Sequence, residues 1–205
     1  GKILGQRSID FAKSKNVKYI QYDTFTENMG SVSIAKALGY YKKDYMELLD
    51  GELGNISIGN LKSNTFIEIS PEDAFKFLQE IPNRPATEIS AGWSYKPFNL
   101  QLISKINGKW IRNDEAVILK IGSDVSLEGE NPLSDEIWLI TYGKVSAVTD
   151  LLKKILIQEK KRRKDLVKLD IRIFCPRALS NSIQDLGFSY IEGKPSGVVL
   201  FEKKL

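Results

Sequence analysis

Residues 17–24 read VKYIQYDT and residues 167–174 read VKLDIRIF, so a run of alternating, strand-forming residues occurs near each end of the chain. Each run is followed by a helix-forming stretch that ends in Leu, Gly and an aromatic residue, in KALGYYK (residues 36–42) and in QDLGFSY (residues 184–190). Glycine is typical of a helix C-cap because it adopts positive φ at little cost. The recurrence predicts two copies of one helix–strand–helix–strand unit.

Apolar residues at helical spacing precede each strand run and complete the unit. For the first copy we predict helices over residues 2–15 and 30–38, and strands over residues 17–24 and 40–49. For the second copy we predict helices over residues 148–163 and 177–186, a strand over 167–175 and a pair of strands from Phe188 onward. The two copies together predict a mixed α/β fold.

The middle of the chain separates the two copies. Residues 50–64 are rich in Gly, Asn and Ser, which predicts a linker, and we place a domain boundary near Leu61. The two domains would then be residues 1–60 and residues 61–205. Beyond the linker we predict a strand over residues 65–70, helices over 71–81 and 97–106, and strands over 115–121 and 136–142.

Composition excludes several classes of site. The 205 residues contain no histidine, which excludes Ser-His-Asp chemistry, histidine metal sites and imidazole bases. Cys175 is the single cysteine, so the chain has no intramolecular disulfide, and we expect a cytoplasmic protein without a metal. No apolar run approaches the roughly 20 residues that span a bilayer, so we expect no membrane partner.

The net charge of +4 is spread along the chain and does not indicate a nucleic-acid partner. A basic run at residues 160–164 falls at a predicted helix C-terminus, where cations complement the helix dipole. Because no aromatic residues interleave with these charges, we predict a solvated surface there and no nucleic-acid binding.

The first copy also carries a set of motif residues in order. A helix with G-x-x-L and I-x-x-A is followed by a strand, by E-N-x-x-S and by a helix that ends in L-G-Y. This pattern resembles the GNAT N-acetyltransferase family over about the first fifty residues. The residues that carry the resemblance are Gly1, Leu4, Ile9, Ala12, Glu27, Asn28, Ser31, Leu38, Gly39 and Tyr40.

The resemblance implies a GNAT acyl-CoA N-acyltransferase fold with a mixed sheet, as a partial first copy and a complete, degenerate second copy. It implies acetyl-CoA as co-substrate and no metal, with the cofactor bound by Gly1, Lys2, Asn28 and Ser31. In the family register Gly1 is the last glycine of a pyrophosphate loop, so we expect the amino-terminal half of the first domain to be missing. The alternatives are that Gly1 is an ordinary terminal residue and that Asn28 is a helix cap.

The family's usual acid tyrosine corresponds to Ala35 here, so the catalytic residues are unknown, and a water or Tyr22 would have to replace that acid. Asp135 and Glu136 are candidates for a general base or are solvated strand-end acids. In the second copy, residues 143–147 contain one glycine where the family loop has two, and Ile183 stands at the tyrosine position. We therefore predict that the second copy is non-catalytic.

Aromatic residues of the second copy either shape an acceptor pocket or fill the core; they are Trp93, Tyr95, Phe98, Trp110 and Trp138. The function that the resemblance implies is transfer of an acetyl group from acetyl-CoA to a primary amine of a small molecule or peptide, by direct attack in a ternary complex. The alternative is a catalytically inactive GNAT-fold module for binding or assembly. A homodimer stays open.

Overall fold

The computed structural model describes residues 1–56, 58, 66–92, 94–122, 136–162 and 169–205. Three features of the sequence analysis lie outside these residues, namely the predicted boundary at Leu61, the aromatic Trp93 and the candidate base Asp135.

The described residues form six α-helices and eleven strands. In chain order these are α1 (Lys2–Ser14), β1 (Tyr19–Phe25), α2 (Met29–Ala37), β2 (Tyr41–Glu52), β3 (Ile67–Ile69), α3 (Pro71–Leu78), β4 (Glu88–Ser90), β5 (Tyr95–Pro97), α4 (Leu100–Ile103), β6 (Lys109–Arg112), β7 (Ala116–Ile121), β8 (Glu136–Gly143), α5 (Val145–Arg162), β9 (Asp170–Cys175), α6 (Arg177–Gln184), β10 (Ser189–Tyr190) and β11 (Gly197–Lys204). Short 3₁₀ turns follow β2 and β10. The fold is mixed α/β, as predicted.

Local signals account for most of these boundaries. Ser70 accepts a hydrogen bond from the Asp73 amide at the start of α3, where Pro71 occupies the first turn. Gly39 has φ +76° after α2, the left-handed conformation that the Leu-Gly pattern predicts for a helix end. The prediction of a helix over residues 97–106 is wrong in part. Residues 95–97 pair with β4 instead, and the helix is confined to α4, which Asn99 caps.

One nine-stranded sheet runs through the molecule in the order β1-β11-β2-β9-β8-β7-β6-β3, with β10 also paired to β2. The pair of β8 and β9 is parallel. The other neighbouring pairs in this sheet are antiparallel. Strands β4 and β5 form a separate hairpin.

The two copies of the repeat exchange their last strands. Strand β2 ends the first copy but pairs with β9 of the second, whereas β11 ends the second copy and pairs with β1 of the first. The exchanged strands β2 and β11 pair with each other at the centre. There Gly197 lies opposite Glu47, and a methyl group at Gly197 would lie 2.0 Å from the Met46 carbonyl oxygen. Each copy therefore completes its part of the sheet with a strand from the other.

Two layers cover the sheet. On one face, α5 and α6 bury a core that includes Leu139 and Ile173, and α2 packs Ala35 against Val199 and Phe201. On the opposite face, α3, α4 and the β4–β5 hairpin cover a second core. Because side chains alternate along a strand, Leu48 and Leu49 of β2 belong to different cores. We refer below to the helix face and to the hairpin face.

Candidate functional site

Helices α1 and α2 run side by side and begin at the same end of the sheet. A methyl group at Gly1 would lie 2.4 Å from Ile34 Cδ1, and one at Gly5 would lie 2.5 Å from Leu38 Cδ1. These two close approaches keep the same order along both helices, so the helices are parallel. Helix α2 starts soon after β1 ends, and α1 starts beside Ile34, so both helices begin toward the carboxyl end of β1 with a stagger of about 7 Å. The positive ends of two helix dipoles therefore lie at one edge of the molecule.

The four predicted cofactor-binding residues are divided between these two helix starts. Gly1 is the N-cap of α1 and Lys2 is its first residue, and both are exposed. Asn28 is the N-cap of α2, and its Oδ1 accepts a hydrogen bond of 3.1 Å from the Ser31 amide. Asn28 is therefore a helix cap in the structure, which is one of the two alternatives for this residue. Gly1 also fits a close-packed helix start, because a side chain there would strike α2.

The residue that corresponds to the family's acid tyrosine is buried. Ala35 is 2% exposed and packs against the Val199 and Phe201 side chains. Tyr22 lies on the exposed edge strand β1 opposite Phe201, on the same helix face of the sheet. Tyr22, which was predicted as a replacement for the acid tyrosine, therefore lies on the strand that contacts α2, the helix that carries Ala35.

The start of α5 in the second copy is occupied by the chain's own atoms. The Lys144 amide donates to the Glu115 carbonyl oxygen at 3.0 Å, and Lys144 Nζ lies 2.9 Å from Glu115 Oε1. Gly143 has φ +129°, and a methyl group there would lie 2.5 Å from the same carbonyl oxygen. The Lys144 amide is therefore already bonded, and the backbone at residues 115 and 116 fills the space beside Gly143, which suits a phosphate cradle poorly.

The candidate base Glu136 lies far from that helix start. It begins β8, whereas α5 follows the last residue of the strand, about 23 Å away. Arg172 Nε lies 2.8 Å from Glu136 Oε1, so the carboxylate belongs to an ion pair between β8 and β9. Of the predicted basic run, the described residues Lys160 and Lys161 are exposed at the end of α5.

The aromatic residues of the second copy act mainly as core residues. Trp110 is 1% exposed, and the rings of Trp138 and Phe174 are 6.1 Å apart in an edge-to-face contact. Tyr95 is also buried. Phe98 differs, because it lines an open cleft of about 540 Å³ together with Gln79, Arg84, Pro85 and Ala86.

A polar cluster on the hairpin face was not predicted from the sequence. Two carboxylates, Glu88 of β4 and Glu202 of β11, are 7% and 8% exposed and share the Lys43 ammonium at 2.8 Å and 2.5 Å. Gln21 Nε2 donates to both, at 2.6 Å and 3.0 Å, and the Tyr41 hydroxyl donates to Glu202. We call these five residues the carboxylate cluster. It joins β1, β2, β11 and the hairpin.

Hydrogen bonding determines the charge states in the carboxylate cluster. Hydrogen bonds from Lys43 and Tyr41 lower the pKa of Glu202 to about 2. Burial acts to lower the pKa of Lys43, but hydrogen bonds to Glu202 and Glu88 outweigh it and the pKa is raised. The hydrogen bond to Glu202 raises the pKa of Tyr41. Two carboxylates and one ammonium leave the cluster with a net negative charge at neutral pH.

Two aspartates extend the polar surface beside the cluster. Asp23 and Asp44 both lie opposite Leu200, on either side of β11, and so are about 10 Å apart. Asp23 Oδ2 accepts a hydrogen bond of 2.8 Å from the Tyr95 amide, which attaches the hairpin to β1. Burial raises the pKa of the half-buried Asp44, although its Oδ1 accepts a hydrogen bond of 2.7 Å from the Tyr45 amide. The pKa of Asp44 is thus higher than the ordinary value for an aspartate.

The single cysteine is a buried core residue. Cys175 is buried, and burial raises the pKa of its thiol, which makes it an unreactive core residue. Among the described residues, no helix is both long and apolar enough to cross a membrane. That same part of the chain contains no group of three or more Cys, Asp or Glu side chains arranged to hold a metal ion.

Several solved structures are similar to the whole chain. A GCN5-related N-acetyltransferase from Kribbella flavida matches with a TM-score of 0.54 and 11% identity, over 96% of this chain and 45% of that one. A tandem GNAT protein from the clavulanic acid biosynthesis pathway matches with a TM-score of 0.56 and 8% identity, over 99% of this chain and 69% of that one. The chain has the GNAT acetyltransferase fold.

A conserved protein of unknown function from Staphylococcus epidermidis also matches, with a TM-score of 0.57 and 8% identity, over 100% of this chain and 82% of that one. This chain therefore spans less than half of the Kribbella flavida protein and most of the Staphylococcus epidermidis one. No family model and no curated protein sequence matches the chain.

Proposed function

We propose that this GNAT-fold chain belongs to an N-acetyltransferase that moves an acetyl group from acetyl-CoA to a primary amine. The observation that carries the proposal is the parallel packing of α1 and α2, which both begin toward the carboxyl end of β1 with a stagger of about 7 Å. Two parallel helix N-termini at one edge provide several amide donors that lack a partner within their helix. Such a place suits the phosphate groups of an anionic cofactor.

Gly1 and Lys2 would hold the cofactor, because the first turn of α1 has no acidic residue and no side-chain cap. Amides of that turn would donate to phosphate oxygens, and the Lys2 ammonium would add a charge-assisted hydrogen bond. Asn28 and Ser31 would act together by fixing the start of α2, since their own polar groups bond each other. Acetyl-CoA, when bound, supplies a thioester as the acyl donor.

Asp44 is our choice for the general base. An acceptor ammonium must lose a proton before its nitrogen attacks, and a carboxylate with a raised pKa accepts that proton more readily than a solvated one. The negative charge of the carboxylate cluster would attract the ammonium to the hairpin face. Lys43 would hold the Glu88 and Glu202 side chains in position, while Asp44 exchanges the proton.

A non-catalytic binding module is the second candidate function. The buried Ala35 at the acid-tyrosine position favours it, because no hydroxyl there can protonate a departing thiolate. The blocked start of α5 favours it too for the second copy. Under this hypothesis the fold would bind acetyl-CoA or a protein partner without turnover.

Titration calorimetry with acetyl-CoA tests the cofactor site, using the natural polypeptide that carries residues 1–205. We expect Lys2→Ala to weaken binding about fivefold, the worth of one hydrogen bond. Lys144→Ala, at the start of the second copy, is the matched control and should leave the affinity unchanged. Release of free thiol with a panel of amines then separates the two candidate functions. Binding without turnover would favour the module. The absence of binding would overturn the acetyl-CoA site at Gly1 and Lys2, and with it the proposed transferase.

A further inference from the structure

The open cleft of about 540 Å³ beside Phe98 shares no lining residue with the proposed cofactor site or with the carboxylate cluster. We call it the Arg84 cleft, and the residues that line it are Gln79, Arg84, Pro85, Ala86 and Phe98. Small-molecule sites in proteins typically have volumes of about 300–1,000 Å³. The cleft is therefore large enough for a small organic ligand.

An aromatic ring forms part of the lining of the Arg84 cleft. The half-buried Phe98 ring lies 5.0 Å from the Phe75 ring of α3, which supports it from behind. The Phe98 amide donates to the Thr87 carbonyl oxygen at 2.9 Å, so the backbone of Phe98 is also held. Pro85 adds a buried apolar residue to the lining. A flat apolar group in the cleft can stack on the Phe98 ring.

Arg84 supplies the positive charge of the cleft. It is exposed, it is the one charged residue among the described residues that line the cleft, and no described carboxylate forms an ion pair with it. Asp73 and Glu80, acidic residues in and just after α3, line a different cleft together with Arg112. The Arg84 guanidinium is therefore available to an anionic group of a ligand.

The backbone on both sides of Arg84 is constrained. Asn83 has φ +50°, a left-handed conformation that asparagine tolerates, and its Nδ2 donates to the Gly143 carbonyl oxygen at 2.9 Å. Pro85 restricts the conformation of the residue before it, which is Arg84. A residue that is already positioned loses less conformational freedom when a ligand binds.

We propose that the Arg84 cleft binds a small aromatic carboxylate, with the carboxylate on Arg84 and the ring on Phe98. The planar guanidinium donates two parallel hydrogen bonds to a carboxylate, which fixes the orientation of the ligand. The lining holds a single cation, so a group with one negative charge matches it better than a phosphate group with two. This site is independent of the proposed acetyl transfer, because no residue is common to the two sites.

Titration of residues 1–205 with phenylacetate, followed by amide NMR signals, tests the proposal. The signals of the Ala86 amide and of the Gln79 side-chain amide should shift and saturate together. Phenylacetamide has the same shape without the charge, and it should bind about tenfold more weakly because it lacks the charge-assisted hydrogen bonds. Acetate, which lacks the ring, should also bind more weakly. Equal affinities for phenylacetate and phenylacetamide, or tighter binding of phenyl phosphate, would overturn the assignment to a carboxylate.

Matched variants assign the binding to named side chains. Arg84→Gln should weaken phenylacetate binding about tenfold and remove the preference for the acid over the amide, whereas Arg84→Lys keeps the charge and should recover part of the affinity. Phe98→Leu should weaken the binding of acid and amide alike, about fivefold. Arg112→Gln is the control, since Arg112 stacks on the Phe77 ring at 4.6 Å and lines the other cleft.

Unfolding does not account for the expected loss, because Arg84 is exposed and its variants should keep the wild-type thermal midpoint. Arg112→Gln should leave the affinity for phenylacetate unchanged. Signals that fail to saturate in the wild-type chain at millimolar phenylacetate would overturn the proposal. Equal losses of affinity in Arg84→Gln and Arg112→Gln would also overturn it, because they would indicate general attraction of an anion to a basic surface.

Discussion

Lys43 Nζ, on the last strand of the first copy, lies 2.5 Å from Glu202 Oε2, on the last strand of the second. The same ammonium lies 2.8 Å from Glu88 Oε1 on the hairpin. A single charge thus connects both exchanged strands and the layer that covers them. The cluster has a structural role in addition to the proposed attraction of an ammonium substrate.

Lys43→Met should destabilise the chain by about 2–3 kcal/mol at pH 7, because it leaves two buried carboxylates facing each other without their cation. Urea unfolding followed by tryptophan fluorescence measures the change. Adding Glu88→Gln and Glu202→Gln to the same variant should restore most of the loss. If the triple variant is no more stable than Lys43→Met, the loss comes from packing of the lysine stem and not from charge.

Acid should destabilise the chain through Glu202. Its pKa lies near 2 in the folded chain and near 4.5 otherwise, so its contribution to the free energy of unfolding is complete above pH 4.5. That contribution should disappear as the pH falls from 4.5 toward 2. Glu202→Gln should flatten this part of the stability curve, whereas Glu68→Gln, at an exposed ion pair with Lys109, should leave it unchanged. Equal slopes for the two variants would contradict the low pKa.

The exchange of strands predicts that the second copy does not fold alone. A chain of residues 66–205 lacks β2, whose buried Met46, Leu48 and Leu49 fill both cores between β9 and β11. At about 1.5–3 kcal/mol for each buried side chain, their loss is comparable to the whole stability of a domain. We expect that chain to lack a cooperative thermal transition by circular dichroism. A protease site placed within residues 59–65 of the intact chain is the control, and after cleavage the two pieces should still elute together from a gel-filtration column.

The sequence predicts several helices and strands well because they depend on local signals. The predicted bounds of α1, α2, β7, β8 and α6 agree with the structure to within two residues, since caps and hydrophobic periods lie within each segment. The partners of the strands are not local. Nothing in residues 40–49 indicates that β2 lies between β9 and β11, and the carboxylate cluster was missed because Gln21 and Glu202 meet only after that pairing.

Aligning the two copies by their amino-acid letters places residues 17–25 one residue out of structural register with residues 167–175. It places Phe25 beside Cys175, yet Phe25 packs on the hairpin face with Phe174, and Cys175 lies in the helix-face core. A shift of one residue exchanges the two faces of a strand, so only the structure shows which side chains of the copies correspond. Glu202, which directly follows the apolar run VVLF of β11, was the available signal for the cluster.

Asn28 variants distinguish a cap from a ligand. Asn28→Ala should cost about 1 kcal/mol of stability because the Ser31 amide loses its acceptor, and Asn28→Ser should recover most of it. Thermal unfolding measures this effect without any cofactor. Acetyl-CoA titration of the same two variants adds the second readout. Affinity that falls in both variants would show a direct contact with the Asn28 amide, whereas affinity that recovers with serine would assign Asn28 to fixing the start of α2.

Asp44→Asn should reduce the rate of acetyl transfer by about 100-fold if Asp44 is the general base, which is the lower end of what such a group contributes. The sign of the pH dependence follows from its protonation. Because burial raises the pKa of Asp44, the wild-type rate should increase with pH through that raised pKa as the carboxylate forms, and the asparagine variant should lose this acidic limb.

Asp50→Asn is a close control, since Asp50 is another half-buried aspartate of β2 with a pKa raised by burial. It lies about 20 Å along the strand, beside Arg172 and away from the carboxylate cluster, so its variant should keep the wild-type profile. Thiol release measured from pH 4 to pH 9 for the three proteins provides the comparison, with acetyl-CoA affinity as a check that binding is unchanged. An asparagine variant at position 44 with a normal rate and an intact acidic limb would move the base elsewhere in the polypeptide.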